Sequence, residues 1–154
     1  MEPRTASLFA VLAEGRTRFT TLLDRLTEAD LPKKLAPSPN SIGFLVRHIG
    51  DVELLFAKNV FGLAGVQVHA RTVATGYDSG EWTDLAALKA YVLESAVTLQ
   101  RAIEAQAAAD WDTVIETKEF GRRTKAEALG RIVSHTAYHA GQIGLVLKYG
   151  SSGV

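Results

Sequence analysis

Two histidines stand four residues apart near the end of the sequence, in the stretch Arg131-Ile132-Val133-Ser134-His135-Thr136-Ala137-Tyr138-His139-Ala140-Gly141-Gln142-Ile143. On an α-helix four residues are about one turn, so His135 and His139 leave the same face, close enough to share one ion. A third histidine, His48, lies far upstream in another helix-like segment, residues 41–56. Neutral imidazole is the commonest metal ligand, and three of them suit Zn²⁺, Ni²⁺ or Fe²⁺. Three protein ligands leave a position for water, or for a substrate oxygen or thiol. The plainer alternative is three separate core or surface histidines, since pairs at this spacing arise by chance. Their place at the apolar face favours the metal, because an unpaired polar ring there is costly. His69, in an irregular stretch, reads as solvated. Thr136 stands where a zinc-protease motif needs glutamate, so that chemistry is not expected.

Helices must position these rings. Over residues 6–27, Leu8, Leu12, Gly15, Phe19, Leu22, Leu23 and Leu26 recur at helical steps. Pro32, Pro37 and Pro39 then break the pattern. Ser41 is placed to cap a second helix whose stripe is Ile42, Leu45, Ile49, Val52 and Phe56. His48 borders that stripe, while Arg47, Asp51 and Lys58 gather on the wet side. Residues 62–82, with four glycines and a polar cluster, read as a long connection with a short turn of helix. A third helix is expected from Thr83 to about residue 109, with Leu85, Leu88, Val92, Leu99 and Ile103 on its face. Residues 113–117 favour a strand, with 118–121 as its return, which makes a small β ribbon. Thr124 to Glu127 matches a capping box opening the last helix, and Gly150 closes it. Ile132, Thr136, Ile143 and Leu147 face inward there. Four amphipathic segments argue an all-α, four-helix bundle, and the length suits one domain over residues 1–154.

The bulk numbers narrow the function. There are 17 basic and 17 acidic residues, so no cationic excess is available to neutralise phosphates, and nucleic acid is not expected as a partner. The chain has no cysteine, which removes thiolate ligands and a cysteine nucleophile and fits a reducing cytoplasm. The apolar run 8–13 is short for a signal segment, and no stretch is long enough to span a membrane.

Ser41-Ile42-Gly43-Phe44-Leu45-Val46-Arg47-His48-Ile49 with the following Glu53 resembles the second-helix motif of the DinB-like superfamily. His135-Thr136-Ala137-Tyr138-His139-Ala140-Gly141-Gln142-Ile143, with its lead-in from Phe120-Gly121 to Glu127, resembles the last-helix motif. The two motifs cover about a third of the chain, and the helix order extends the likeness over nearly all of it. The resemblance implies an up-down-down-up bundle, a metal held by His48, His135 and His139, and a homodimer. Zinc or nickel come first as the metal, with iron or manganese after them. Relatives with known activity include bacillithiol-transferase-like thiol S-transferases and a mycothiol-dependent maleylpyruvate isomerase.

Around the histidines, Gln142 is a candidate to bond a metal-bound water, to cap a histidine nitrogen, or to meet a partner subunit. Glu53 is a candidate base or histidine-orienting carboxylate, or else an ion pair at the helix edge. Tyr138 is a hydroxyl donor or a packing residue. Trp82 and Trp111 bracket the third helix, and Gly141 and Gly144 allow close helix approach. The three histidines point to a metal that activates a thiol or water, and the resemblance implies the more concrete form, a metal-dependent thiol S-transferase or hydrolase. The alternatives are a non-catalytic metal-binding stress-response or interaction module acting as a dimer, and a structural bundle with empty histidines.

Overall fold

The computed structural model describes residues 1–153. It contains helices α1 (Pro3–Arg25), α2 (Ile42–Asn59), α3 (Arg71–Thr75), α4 (Leu85–Glu104) and α5 (Lys125–Tyr149), with a ribbon of β1 (Val114–Thr117) and β2 (Gly121–Thr124) before α5. Four long helices form the bundle, and α3 is the short turn in the long connection.

The caps explain the boundaries. The Glu2 carboxylate accepts from the N–H groups of Arg4 and Thr5, and Pro3 opens the helix, so α1 begins earlier than its apolar stripe. Ser41 Oγ accepts from the Phe44 N–H at 3.2 Å. The third helix of the sequence reading starts one residue later than expected, because Asp84 rather than Thr83 supplies the cap to the Ala87 N–H. It also stops at Glu104, and a 3-10 turn over Ala108–Asp112 follows, closed by Asp110 accepting from the Ala107 N–H. The capping box forms as expected: Glu127 accepts from the Thr124 N–H, and Thr124 Oγ1 accepts from the Glu127 N–H. The ribbon returns later than the sequence suggested. Residues 118–120 form the turn, Gly121 takes a positive φ of 69°, and the return strand pairs Thr117 with Gly121 through Val114 with Thr124.

Chain direction follows from side-chain meetings. Gly15 approaches Val133 and Leu22 approaches Gly144, so α1 and α5 run parallel. Asp51 meets Tyr91 and Glu53 meets Ser95, so α2 and α4 also run parallel. Thr5 reaches Gln106 while Arg16 reaches Val92, which sets α1 antiparallel to α4. The bundle is therefore up-down-down-up. At Gly50 a Cβ would come 2.7 Å from the Tyr91 ring, so glycine there lets α4 close on α2.

The core has two parts. Phe19, Leu31, Ile42, Leu45, Ile49 and Ile143 fill one, and Phe56, Leu99, Ile103, Trp111, Leu129 and Ile132 fill the other. Each such side chain, fully buried, contributes about 1.5–3 kcal/mol. Trp111 is wholly enclosed, its indole N–H donating to Thr5 Oγ1 at 2.8 Å. Helix α2 is buried on nearly every side, and that includes Asp51 and Glu53. Asp51 thus lies inside, not on the wet face, because α3 and α4 cover that side of α2. No helix among the described residues is long and apolar enough to cross a membrane.

Candidate metal centre

Three helical positions converge where α2 faces α5. His48 comes from the middle of α2, and His135 and His139 come from successive turns of α5. One ring nitrogen from each lies within 4.8 Å of the other two. The closest pair is His48 Nε2 and His135 Nε2, 3.2 Å apart. The His139 ring stands edge-on to both, its centroid 4.9 Å from that of His48 and 4.4 Å from that of His135. Phe44, one turn before His48, stacks flat on its ring at 5.9 Å and limits its rotation. All three rings are half-buried.

Burial also sets their charge. It pushes the His48 imidazole down to about 4, with His139 adding to the effect and Asp51 opposing it. It pushes His135 down to about 3, helped by His139, His48 and Arg131. His139 is lowered by burial too, though its hydrogen bond to Gln142 works the other way. Rings neutral at pH 7 carry one proton each rather than two, so each keeps a lone pair that can be offered to a metal.

The outer ring nitrogens show which lone pairs face inward. His139 Nδ1 donates to Gln142 Oε1 at 2.6 Å, while the Gln142 amide donates to the Tyr138 hydroxyl at 3.2 Å. His48 Nδ1 lies 3.1 Å from Thr72 Oγ1 on α3. His135 Nδ1 is buried with no partner among the described residues. Two neutral rings 3.2 Å apart through Nε2 need a positive centre between them, either one ring's proton or a cation. The donor set therefore fits a transition ion: His48, His135 and His139 would hold it, with two of the rings fixed from behind as metal-bound imidazoles usually are.

The other candidates lie as follows. Gln142 caps His139. Tyr138 is exposed at the rim, its ring edge-on to His139 at 5.2 Å. Glu53 is not at the helix edge but enclosed, accepting from Arg16 Nε at 2.8 Å and from Ser95 Oγ at 2.6 Å. Its carboxylate is thus engaged by α1 and α4 rather than by a histidine. His69 is exposed and touches the network only through its main-chain carbonyl, which accepts from Arg47. Trp82 is half-buried, with the Arg47 guanidinium 4.9 Å from its ring. An open groove on α5, lined by Arg131, Ser134, His135, Ala137, Tyr138 and His139, gives solvent access to two of the histidines.

Sequence reasoning missed Asp51 and Thr72. Asp51 is three residues from His48, within one helical turn, yet the wheel of α2 alone puts it on the wet face. Thr72 carried no periodic signal at all.

The family profile of the DinB superfamily matches residues 12–143, which takes in all three histidines. No curated protein and no solved structure gives a significant match to the chain.

Proposed function

The chain belongs to the DinB superfamily, and from that premise we propose that it is a metal-dependent enzyme of thiol S-transferase or hydrolase type, with His48, His135 and His139 as the metal ligands. The observation that carries this reading is the meeting of three neutral imidazoles within 4.8 Å beside an open groove. Zinc or nickel is the metal that suits the donor set best, with iron or manganese next. A bound ion would supply Lewis acidity to a water or thiol in the open position. Gln142 holds His139 in place, and the Tyr138 hydroxyl stands at the rim where a substrate would enter. The absence of cysteine means that a transferred thiol comes from a small molecule, as a reducing cytoplasm provides.

We read the exposed Leu145 and Tyr149, one turn apart on α5 beyond the groove, as part of the surface of a homodimer. Light scattering at two concentrations checks it. The alternative is a non-catalytic metal-binding module acting as a dimer, and one observation favours it: Glu53, the carboxylate read as a candidate base, is already engaged by Arg16 and Ser95.

Elemental analysis of the purified protein beside His139→Ala tests the metal. About one equivalent of a transition ion in the parent, lost in the variant with unchanged circular dichroism, is the expected result. A parent that stays metal-free after incubation with zinc and nickel removes the basis of the reading. Turnover of electrophiles with low-molecular-weight thiols, present in the parent and absent in the variant, then separates enzyme from module.

A further inference from the structure

One side chain ties the histidine cluster to the segment that covers it. Thr72 lies on α3, in the long connection between α2 and α4, and is 3% exposed. Its N–H donates to Asp51 Oδ2 at 3.0 Å, and its hydroxyl donates to the same oxygen at 2.7 Å. Asp51 is fully buried, and its other oxygen accepts from Arg47 Nε at 2.8 Å and from the Tyr91 hydroxyl at 2.6 Å. Burial and the neighbouring Asp51 raise the Tyr91 pKa, which keeps that phenol a donor. The Arg47 guanidinium lies 3.5 Å from the centre of the Tyr91 ring, so α2, α3 and α4 are locked around one carboxylate.

A hydroxyl has a single proton. In Thr72 that proton is directed at Asp51, because a carboxylate accepts and has none to give. The oxygen that faces His48 Nδ1 at 3.1 Å can therefore only accept. His48 must carry its proton on Nδ1, which leaves the Nε2 lone pair turned toward His135 and His139. The opposite tautomer would set two acceptors against each other at 3.1 Å.

We propose that Thr72 is a positioning residue that selects the tautomer of His48 and so presents Nε2 to a divalent transition metal, with Asp51 holding the threonine proton. The inference rests on the metal reading above and extends it from the three rings to the connection that covers α2. It makes the rings unequal: His48 is fixed by a buried relay from another element, His139 by Gln142 of its own helix, and His135 by neither.

The test uses the full chain with zinc alone as the probe. In the metal-free parent, long-range proton–nitrogen spectra of the histidine rings should show His48 protonated on Nδ1. Thr72→Val should shift that proton to Nε2 and weaken zinc binding, read by chelator competition, by roughly 10–100-fold. Thr72→Ser, which keeps the hydroxyl, should restore the parent spectrum and bind within a few-fold of the parent. An Nε2–H His48 in the parent overturns the proposal without any variant having to fold. So does a well-folded Thr72→Val that binds zinc as tightly as the parent. A parent that takes up no zinc sinks the metal reading itself, an outcome told apart from failure of the lock because the ring spectra report His48 without metal.

Discussion

Helix α2 buries two carboxylates two residues apart, Asp51 and Glu53, and they end in different surroundings. Around Glu53 every group is answered: Arg16 and Ser95 donate to the carboxylate, and Arg16 also donates to the Val92 carbonyl at 2.9 Å. The network joins α1, α2 and α4 and goes no further. Around Asp51 the acid is equally well supplied, but the chain continues through Thr72 to His48 and stops at three histidines. There two Nε2 atoms face each other, and His135 Nδ1 has no partner among the described residues. Burial of charge does not mark a site by itself. A closed network fixes helices together, whereas one that ends in unused lone pairs beside a groove is suited to a ligand.

The largest effect expected from this contrast is at Glu53. Glu53→Gln keeps the shape but leaves the Arg16 guanidinium, itself only 17% exposed, without its counter-charge. Breaking a buried pair in this way costs about 3–5 kcal/mol. Urea denaturation of the metal-free protein should show that loss, while zinc stoichiometry stays at the parent value. A variant that unfolds normally but no longer takes up metal would instead join Glu53 to the site.

The contrast also explains what the sequence could and could not convey. Apolar spacing and capping residues are local properties: the first places the four long helices and sets His48 toward His135 and His139, and the second places the starts at Ser41 and Thr124. Whether a polar residue is buried depends on what lands on it from elsewhere. Asp51 looks solvated on the wheel of α2 alone, and only the return of the connection through Thr72, with Tyr91 from α4, encloses it. Glu53 is hidden in the same way by Arg16, 37 residues earlier in the chain. The start of α4 was misplaced because Thr83 and Asp84 are both good caps, and the choice between them lies in the path of the connection.

A smaller loss is expected at Ser95. Its hydroxyl is one of two donors to Glu53, and Arg16 remains when it is removed. Ser95→Ala should destabilise the metal-free protein by about 1.5–3 kcal/mol, the range for a hydrogen bond to a charged group. Chelator competition should give an unchanged zinc affinity. Weaker zinc binding in this variant would mean that the two networks communicate along α2, and the contrast would fail.

The smallest stability change, and the most informative, is expected where the polar group is unanswered. His135→Leu removes a half-buried ring whose buried Nδ1 has no partner among the described residues, so the metal-free variant should lie within about 1 kcal/mol of the parent at pH 7.5. Zinc uptake should be lost at the same time. Acid should then separate the two proteins. Burial holds His135 near 3 in the folded chain, against 6.5 when unfolded, so between those values the unfolded parent binds a proton that the folded parent refuses. Proton uptake by the unfolded state means that stability falls as pH drops through this window. The leucine variant lacks that contribution, whereas the carboxylates titrate in both proteins and largely cancel in the difference. Urea midpoints at pH 7.5 and pH 5 should therefore move in the variant's favour on acidification. If the parent instead gains on the variant at pH 5, His135 is charged in the folded protein, and a ring poised neutral for a metal is not what the bundle encloses.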